Sequence, residues 1–293
     1  MTREYTEKAV LHAHPHFYEP GIGRRKKIEE RVFRVVQPMP SLKAIVNHYV
    51  VNGFSIGVIS ACHTSKGHVD NRFEEYMQEL TALESTYEID SHLNRGWVAF
   101  KKKNMTGSKP YFILLKSQEI RTIYKNKTAD INVLGGLGNI GAEESIIDTA
   151  NMAMEQGRCV TTCHPNSIIH SIELESAINM LYNGKVHGIE GFNATESVER
   201  NEELANALLE RKIKGIAVPD SHFYIQTPAW TLFDGELIEK FSMQGLINRI
   251  QGQDFDIHTR YITSMQKHLT HTLPIAFSCL LRPKQLAEFF RKQ

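Results

Sequence analysis

The chain has 293 residues, 41% of them hydrophobic and 23% charged, a composition typical of a globular protein with a sizeable core. Its 34 lysines and arginines balance 33 aspartates and glutamates, so net charge gives no general reason to bind nucleic acid or an anionic membrane. No apolar run is long enough for a signal peptide or a membrane span, and the four cysteines lack the spacing of a disulfide framework. These observations predict a cytoplasmic protein.

In chain order, predicted strands alternate with predicted helices. Repeated strand and helix units of this length favour a parallel sheet with helices outside it, closed as a barrel or left open. The last sixty or so residues are predicted to be mostly helical. The predicted strands are 9–14, 54–62, a pair within 87–100, 110–116, 158–165, 186–193 and 213–223, and the predicted helices are 40–52, 73–84, 142–157, 171–185 and 201–212.

Histidines follow the predicted strands at the points where they end. His12, His14 and His16 alternate after the first apolar run, so in an extended strand their side chains leave the backbone on one side. The carboxyl ends of parallel strands meet on one face of a sheet or barrel. Four separated strand ends carry such groups: His12 with His14, His63, His164, and Asp220 with His222. Imidazole and carboxylate ligands without a thiolate suit zinc, manganese or iron.

A single histidine at a strand end is more often a hydrogen-bonded core or rim residue than a metal ligand, and we interpret histidines elsewhere, such as His48 and His187, in that way. Several buried histidines together need polar partners, because an unpaired buried polar group is costly. Shared coordination supplies those partners. The set as a whole therefore predicts a metal site.

Five stretches of the sequence carry a family resemblance: "LHAH", a histidine closing the next strand, "CHPN", "HGIEGFNA" and "GIAVPDSHF". In this order they resemble the motifs of the polymerase-and-histidinol-phosphatase (PHP) superfamily of metal-dependent phosphoesterases. The resemblance spans about residues 9 to 225. It implies an α/β fold, a distorted (β/α)7 TIM-like barrel with two or three divalent metal ions at its strand ends. We predict this barrel over residues 1–235 and a mostly helical segment, 236–293, that packs on it or caps it.

The resemblance also implies a set of metal ligands. Glu19 matches an early acidic ligand, with His16 as the alternative, and Glu88 matches the metal-bridging glutamate although Asp90 and His92 lie close by. His164, Asp220 and His222 are implied to be catalytic as well. The full implied ligand set is His12, His14, Glu19, His63, Glu88, His164, Asp220 and His222.

Two positions depart from the family pattern. Cys62 stands where an aspartate normally precedes the second-strand histidine, and Trp97 and Val98 stand where a further histidine follows the glutamate. The site is therefore expected to hold no more than the family's number of metal ions, and fewer if no other side chain replaces that histidine.

The implied reaction is hydrolysis of a small phosphate monoester or nucleotide, because divalent metals activate water at neutral pH. Arg24 and Arg25, in the basic stretch "GRRKK", are the candidate phosphate-binding residues, although such a run is as often a solvated loop. Two alternatives stay open. One is a metal-dependent hydrolase acting on a different bond, and the other is a catalytically impaired scaffold or RNA-associated subunit.

A glycine-rich stretch offers a competing interpretation. Gly136, Gly138 and Gly141 form a G-x-G-x-x-G pattern before a predicted helix, as in a dinucleotide-binding turn. The acidic residue expected about twenty positions later is absent, because the following strand runs into His164. A loop that only enters a helix, or one that touches a substrate phosphate there, fits the sequence better.

Overall fold

The structure, a computed structural model, describes residues 4–14, 40–64, 71–103, 110–136, 138–141, 145–167, 170–221 and 227–262, without the side chains of 62–64. Within this part the chain forms eleven strands and seven α-helices. The strands are β1 (Tyr5–Ala9), β2 (Phe54–Thr64), β3 (Tyr87–His92), β4 (Trp97–Lys102), β5 (Phe112–Tyr124), β6 (Lys127–Leu134), β7 (Cys159–Thr162), β8 (Gly188–Asn193), β9 (Ile216–Val218), β10 (Trp230–Asp234) and β11 (Asp256–His258). The helices are α1 (Leu42–Val51), α2 (Arg72–Met77), α3 (Ile146–Glu155), α4 (Leu174–Tyr182), α5 (Val198–Glu210), α6 (Gly235–Glu239) and α7 (Met243–Gln251), with 3₁₀ turns at Leu80–Leu83 and Leu93–Arg95.

All the strands belong to one mixed sheet in the order β11-β10-β1-β2-β5-β6-β7-β8-β9, with β4 and β3 branching from β5. The strand pairs β1–β2, β2–β5, β7–β8 and β8–β9 are parallel, whereas β6 runs antiparallel to both β5 and β7. Strands β1, β2, β5, β7, β8 and β9 therefore point the same way. Their carboxyl ends lie on one face of the sheet.

The chain just after β1 connects β2 with the segment that follows β9. On one side Val10 N–H donates to Ile56 O at 3.0 Å, and on the other His14 N–H donates to Ser221 O at 2.9 Å. The N–H of Asp220, two residues beyond β9, donates in turn to His12 O at 3.1 Å. The sheet is thus a nearly closed barrel, which confirms the predicted α/β barrel fold class.

Apolar side chains on the outer face of the sheet pack against helices α3, α4 and α5. Ile120 and Ile131, from β5 and β6, share one buried cluster with Ile146, Ala177 and Leu204 from the three helices. Because side chains alternate along a strand, their neighbours on β5 and β6 point into the barrel. No helix among the described residues is long and apolar enough to cross a membrane.

Strands β5 and β6 differ from the sequence prediction. β5 extends eight residues beyond the predicted end at Lys116, and β6 was not predicted at all. The two strands form a hairpin whose turn residues, Lys125 and Asn126, have φ angles of 49° and 64°. Such positive angles are those of a two-residue hairpin turn, in which asparagine is favoured.

The C-terminal part that the structure describes, up to Ile262, belongs to the same core as the barrel. β10 pairs with β1, and Leu237, Leu246 and Phe255 lie in one buried cluster with Leu11 and Ile56. The prediction of a mostly helical segment over 236–293 missed β11, whereas β10 lies in the part predicted as barrel. Its last predicted helical stretch, "RPKQLAEFFRKQ", lies outside the described residues.

The glycine-rich stretch does not form a dinucleotide-binding turn. The strand that precedes it, β6, is antiparallel to its neighbours, whereas that turn follows a strand of a parallel βαβ unit. Gly136 N–H donates to Arg95 O at 2.8 Å, and Gly138 O accepts hydrogen bonds from the side chains of Lys116 and Arg158. The loop is thereby held against the barrel wall.

Two glycines set the spacing of the last two parallel strands. A Cβ atom at Gly215 would lie 2.4 Å from the Cα of Gly191 on β8, which is too close for any side chain. We expect Gly215→Ala to lower the free energy of unfolding by about 1–3 kcal/mol, since overpacking forces the backbone to shift. Urea unfolding measures the change. Gly141→Ala is the control, because a Cβ there meets nothing within 4 Å, and equal effects of the two substitutions would contradict the close approach.

Candidate metal centre

Six polar side chains meet inside the barrel, near the carboxyl ends of five parallel strands. His12 and His14 lie on the segment after β1, Glu119 on β5, His164 just after β7, Glu190 on β8 and Asp220 just after β9. We call these six residues the central cluster. His12, His14 and Glu190 are fully buried, Glu119 is 1% exposed and Asp220 is 6% exposed.

Glu119 lies between three of the imidazoles. Its Oε1 is 3.2 Å from Nε2 of His164 and 4.0 Å from Nε2 of His12, and its Oε2 is 3.4 Å from Nε2 of His14. One carboxylate therefore reaches histidines that come from two separate strand ends. Glu119 is therefore placed to share a cation with any of them.

Glu190 orients His12 and the backbone of His164. Its Oε1 lies 2.7 Å from Nδ1 of His12, and its Oε2 accepts the backbone N–H of His164 at 2.8 Å. A carboxylate on Nδ1 holds the proton there, so Nε2 of His12 is left as the ligand atom. That Nε2 points at Nε2 of His14, 3.1 Å away, and at Oδ1 of Asp220, 3.5 Å away.

Asp220 and His164 have unusual backbone conformations. Their φ angles are 42° and 28°, in the left-handed region where non-glycine residues cost about 1–3 kcal/mol. Oδ2 of Asp220 accepts a hydrogen bond from Nδ2 of Asn193 at 2.9 Å, which leaves Oδ1 directed toward His12 and His14. These strained backbone conformations set the directions in which the side chains of Asp220 and His164 leave the chain.

The cluster attracts positive charge. Burial disfavours the charged form of His12, yet Asp220 and Glu190 outweigh burial and raise its pKa to about 9. Burial opposes the charged form of His164 as well, and its hydrogen bond to Glu119 raises its pKa to about 10. At His14 burial dominates and lowers the pKa. The same carboxylates would favour a bound divalent cation.

The donor set fits a divalent metal ion. Ligands about 2.1 Å from a tetrahedral ion lie about 3.4 Å from one another. The distances of 3.4 Å (His14 to Glu119), 3.5 Å (His12 to Asp220) and 3.7 Å (His14 to Asp220) match this spacing. Oδ1 of Asp220 is buried and has no hydrogen-bond partner among the described residues, as expected of an oxygen that faces a cation.

A cysteine also reaches the cluster. Cys163 is fully buried, and its sulfur lies within 4.8 Å of ligand atoms of His12 and Glu190, and likewise of Glu119 and His164. Burial raises the pKa of this thiol well above its ordinary value. The sequence argument assumed a site without thiolates, whereas Cys163 brings a sulfur atom to it.

The structure brings together four of the predicted ligands: His12, His14, His164 and Asp220. Glu88 is not among them, since it is exposed on β3, where it faces Lys101 of β4. The sheet places Glu119, rather than Glu88, among the imidazoles. Predicted residues outside the described part of the chain are Glu19, Arg24, Arg25, His222 and the side chain of His63.

Sequence reasoning missed Glu119, Glu190 and Cys163. Glu190 was within reach, because it is the glutamate of the "HGIEGFNA" stretch that carried the resemblance. Glu119 lies on β5 three residues beyond Lys116, where the predicted strand ended. The family histidine expected at Trp97 was placed by its spacing from Glu88. Because Glu88 lies outside the cluster, that spacing no longer points to a ligand at Trp97. The ring of Trp97 instead stacks on the ring of His92, with the two centroids 3.8 Å apart.

Comparison with solved structures finds a similar fold. A two-domain protein from Bacteroides vulgatus ATCC 8482, whose crystal structure is described as containing a predicted PHP-like metal-dependent phosphoesterase, superposes with a TM-score of 0.53 at 14% sequence identity. The match covers 87% of this chain and 66% of that one, so this chain spans slightly less than two thirds of that protein. The likeness concerns the fold alone. No protein-family model and no curated protein matches the chain.

Proposed function

We propose that the protein is a metal-dependent hydrolase of phosphate esters, with small phosphate monoesters or nucleotides as its substrates. The observation that carries the proposal is the convergence of three imidazoles and three carboxyl groups at one end of the barrel, with contact distances that suit bound cations. The PHP-like fold of the structural neighbour supports the same reaction class.

The roles of the residues follow from their contacts. His12, His14, Glu119, His164 and Asp220 would hold two or three divalent ions. When bound, such ions lower the pKa of water to about 7 and stabilise the oxygens of an in-line displacement at phosphorus. Glu190 keeps the proton of His12 on Nδ1 and fixes the backbone of His164, so both ligands are set before a substrate arrives.

A phosphate-release assay with and without chelator tests the proposal. Purified protein should contain divalent metal by elemental analysis, release phosphate from a panel of monoesters and nucleotides, and lose this activity on chelation. Asp220→Ala and His164→Ala should each abolish turnover in a protein that stays folded. Bound metal with turnover of another ester class would favour a non-phosphate hydrolase, and no bound metal under any condition would favour the scaffold alternative.

Cys163 is expected to tune which metal the site prefers. Thiolate ligands favour zinc, iron or cobalt over manganese, and a coordinating thiol loses its proton to solvent. Cobalt-substituted protein should therefore show a sulfur-to-cobalt charge-transfer band that Cys163→Ser removes. Cys159→Ser is the matched control, because Cys159 is equally buried at the start of β7, the strand that Cys163 follows, and lies outside the cluster. Cobalt binding without that band would exclude Cys163 as a ligand.

A further inference from the structure

The carboxyl end of β8 carries an asparagine that touches the central cluster. Asn193 is the last residue of β8 and is 2% exposed, and its Nδ2 donates to Oδ2 of Asp220 at 2.9 Å. The two residues belong to neighbouring parallel strands, since Asp220 follows β9 by two residues. Asn193 therefore contacts the cluster through the carboxylate of Asp220.

The orientation of the Asn193 amide is fixed by its other contacts. Its Oδ1 accepts the backbone N–H of Thr195 at 2.9 Å and the hydroxyl of Thr195 at 2.7 Å. A backbone N–H can only donate, so the amide atom that faces it is the oxygen and not the nitrogen. The nitrogen is thereby left for Asp220. Asn193 thus offers Asp220 a donor and never an acceptor, which suits an ionised carboxylate.

Helix α5 holds the backbone of Asn193. Oδ1 of Asn201 accepts the N–H of Asn193 at 3.0 Å, and Nδ2 of Asn201 donates to the carbonyl of Asn193 at 2.9 Å. Asn201 is 3% exposed and lies at the end of the first turn of α5. One amide side chain thus binds the two backbone groups that a neighbouring strand would pair. Both the backbone and the side chain of Asn193 are therefore held by buried hydrogen bonds.

The segment after β1 holds Asp220 from its backbone. The N–H of Asp220 donates to His12 O at 3.1 Å, and Ser221 O accepts the N–H of His14 at 2.9 Å. These bonds place the backbone of Asp220, but they do not set the rotation of its carboxylate group. The hydrogen bond from Asn193 to Oδ2 sets that rotation. It turns Oδ1 toward the imidazoles, 3.5 Å from Nε2 of His12 and 3.7 Å from Nε2 of His14.

We propose that Asn193 is a positioning residue that raises the metal affinity of the cluster by acting through Asp220. This inference rests on the proposed function, because it takes Asp220 to be a metal ligand. A carboxylate whose second oxygen is already hydrogen-bonded presents the first to a cation without losing rotational freedom on binding. Groups that orient metal ligands in this way typically contribute about 10- to 100-fold in metal affinity.

Metal binding, rather than turnover, tests the inference. Chelator-treated protein is titrated with Zn²⁺ by calorimetry, and we expect Asn193→Ala to raise the Kd by about 10- to 100-fold. In an Asp220→Ala background the same substitution should change the Kd by less than about twofold, because Asn193 then has no ligand to orient. A general loss of packing would instead weaken binding in both backgrounds.

The visible spectrum of the cobalt-substituted protein is a second measurement, since it reports the arrangement of the ligands. Its bands should shift in Asn193→Ala. If Asn193→Ala does not fold, Asn193→Ser decides, because serine keeps a polar side chain that is shorter than the amide.

Gln118→Ala is the matched control. Gln118 is also a buried amide, 1% exposed, and its side chain exchanges two hydrogen bonds with the backbone of Ile140. It lies on the face of β5 that carries Ile120, away from the cluster. Its Zn²⁺ Kd should therefore stay within about twofold of wild type, with an unshifted cobalt spectrum.

Three results would overturn the inference while the proposed function stands. They are an unchanged Kd in a folded Asn193 variant, an equal rise in Gln118→Ala, and an equal rise in the Asp220→Ala background. A wild-type protein that binds no divalent metal would overturn the inference and the proposed function together.

Discussion

Glu119→Gln should abolish metal-dependent turnover while the barrel stays folded. The substitution keeps the size of the side chain but removes the charge that lies between His12, His14 and His164. Loss of a carboxylate ligand would remove several kcal/mol of transition-state stabilisation, and about 4 kcal/mol corresponds to a rate on the order of 10³-fold lower. Phosphate release and metal content per chain are the measurements, and the metal content should fall together with the rate.

Glu88→Gln is the matched control for this prediction. Glu88 has the same local sequence as Glu119, a glutamate followed by isoleucine within a strand, but it is exposed on β3 and faces Lys101. We expect wild-type activity and metal content from Glu88→Gln. The opposite result, with Glu88→Gln inactive and Glu119→Gln active, would restore the ligand assignment that the family resemblance implies.

Glu88 and Glu119 show why the sequence alone did not identify the glutamate of the cluster. Glu88-Ile89-Asp90 and Glu119-Ile120-Arg121 are similar strand segments, and nothing local separates them. The sheet separates them, because β5 lies next to β2 and β6 in the barrel wall, whereas among the described strands β3 pairs with β4 alone, at the edge. Such strand pairings join residues far apart in sequence, so a short stretch of sequence does not reveal them.

Elements with strong local signals were predicted well. Helix α1 begins after Ser41, whose side chain accepts the N–H of Ala44, and ends before Gly53, whose φ is 71°. Helix α3 begins after a serine cap as well, and Gly157 follows its end with a φ of 70°. Caps and C-terminal glycines act through adjacent backbone groups, so their sequence signature is local.

The second half of β5 and all of β6 were missed for a physical reason. Their inward positions carry polar residues such as Ser117, Glu119 and Asn132, which are buried because they face the cluster and one another. The strand signal depends on apolar residues at buried positions. A strand that lines a polar cluster therefore resembles a loop in sequence. The polar residues that face the cluster are the reason why the strand was not predicted.

Metal removal should lower the melting temperature by on the order of 10 °C. A ligand present at about 1,000 times its Kd stabilises the folded state by about 4 kcal/mol, and each kcal/mol shifts the melting temperature of a chain this size by about 2–4 °C. The cause at this site is specific: Glu119, Glu190 and Asp220 are buried together, and a bound cation offsets their mutual repulsion. Thermal unfolding of chelated and metal-reloaded protein measures the shift. Glu88→Gln should show the same shift and Glu119→Gln a much smaller one, whereas equal melting temperatures with and without metal in wild type would mean that the cluster does not hold a cation.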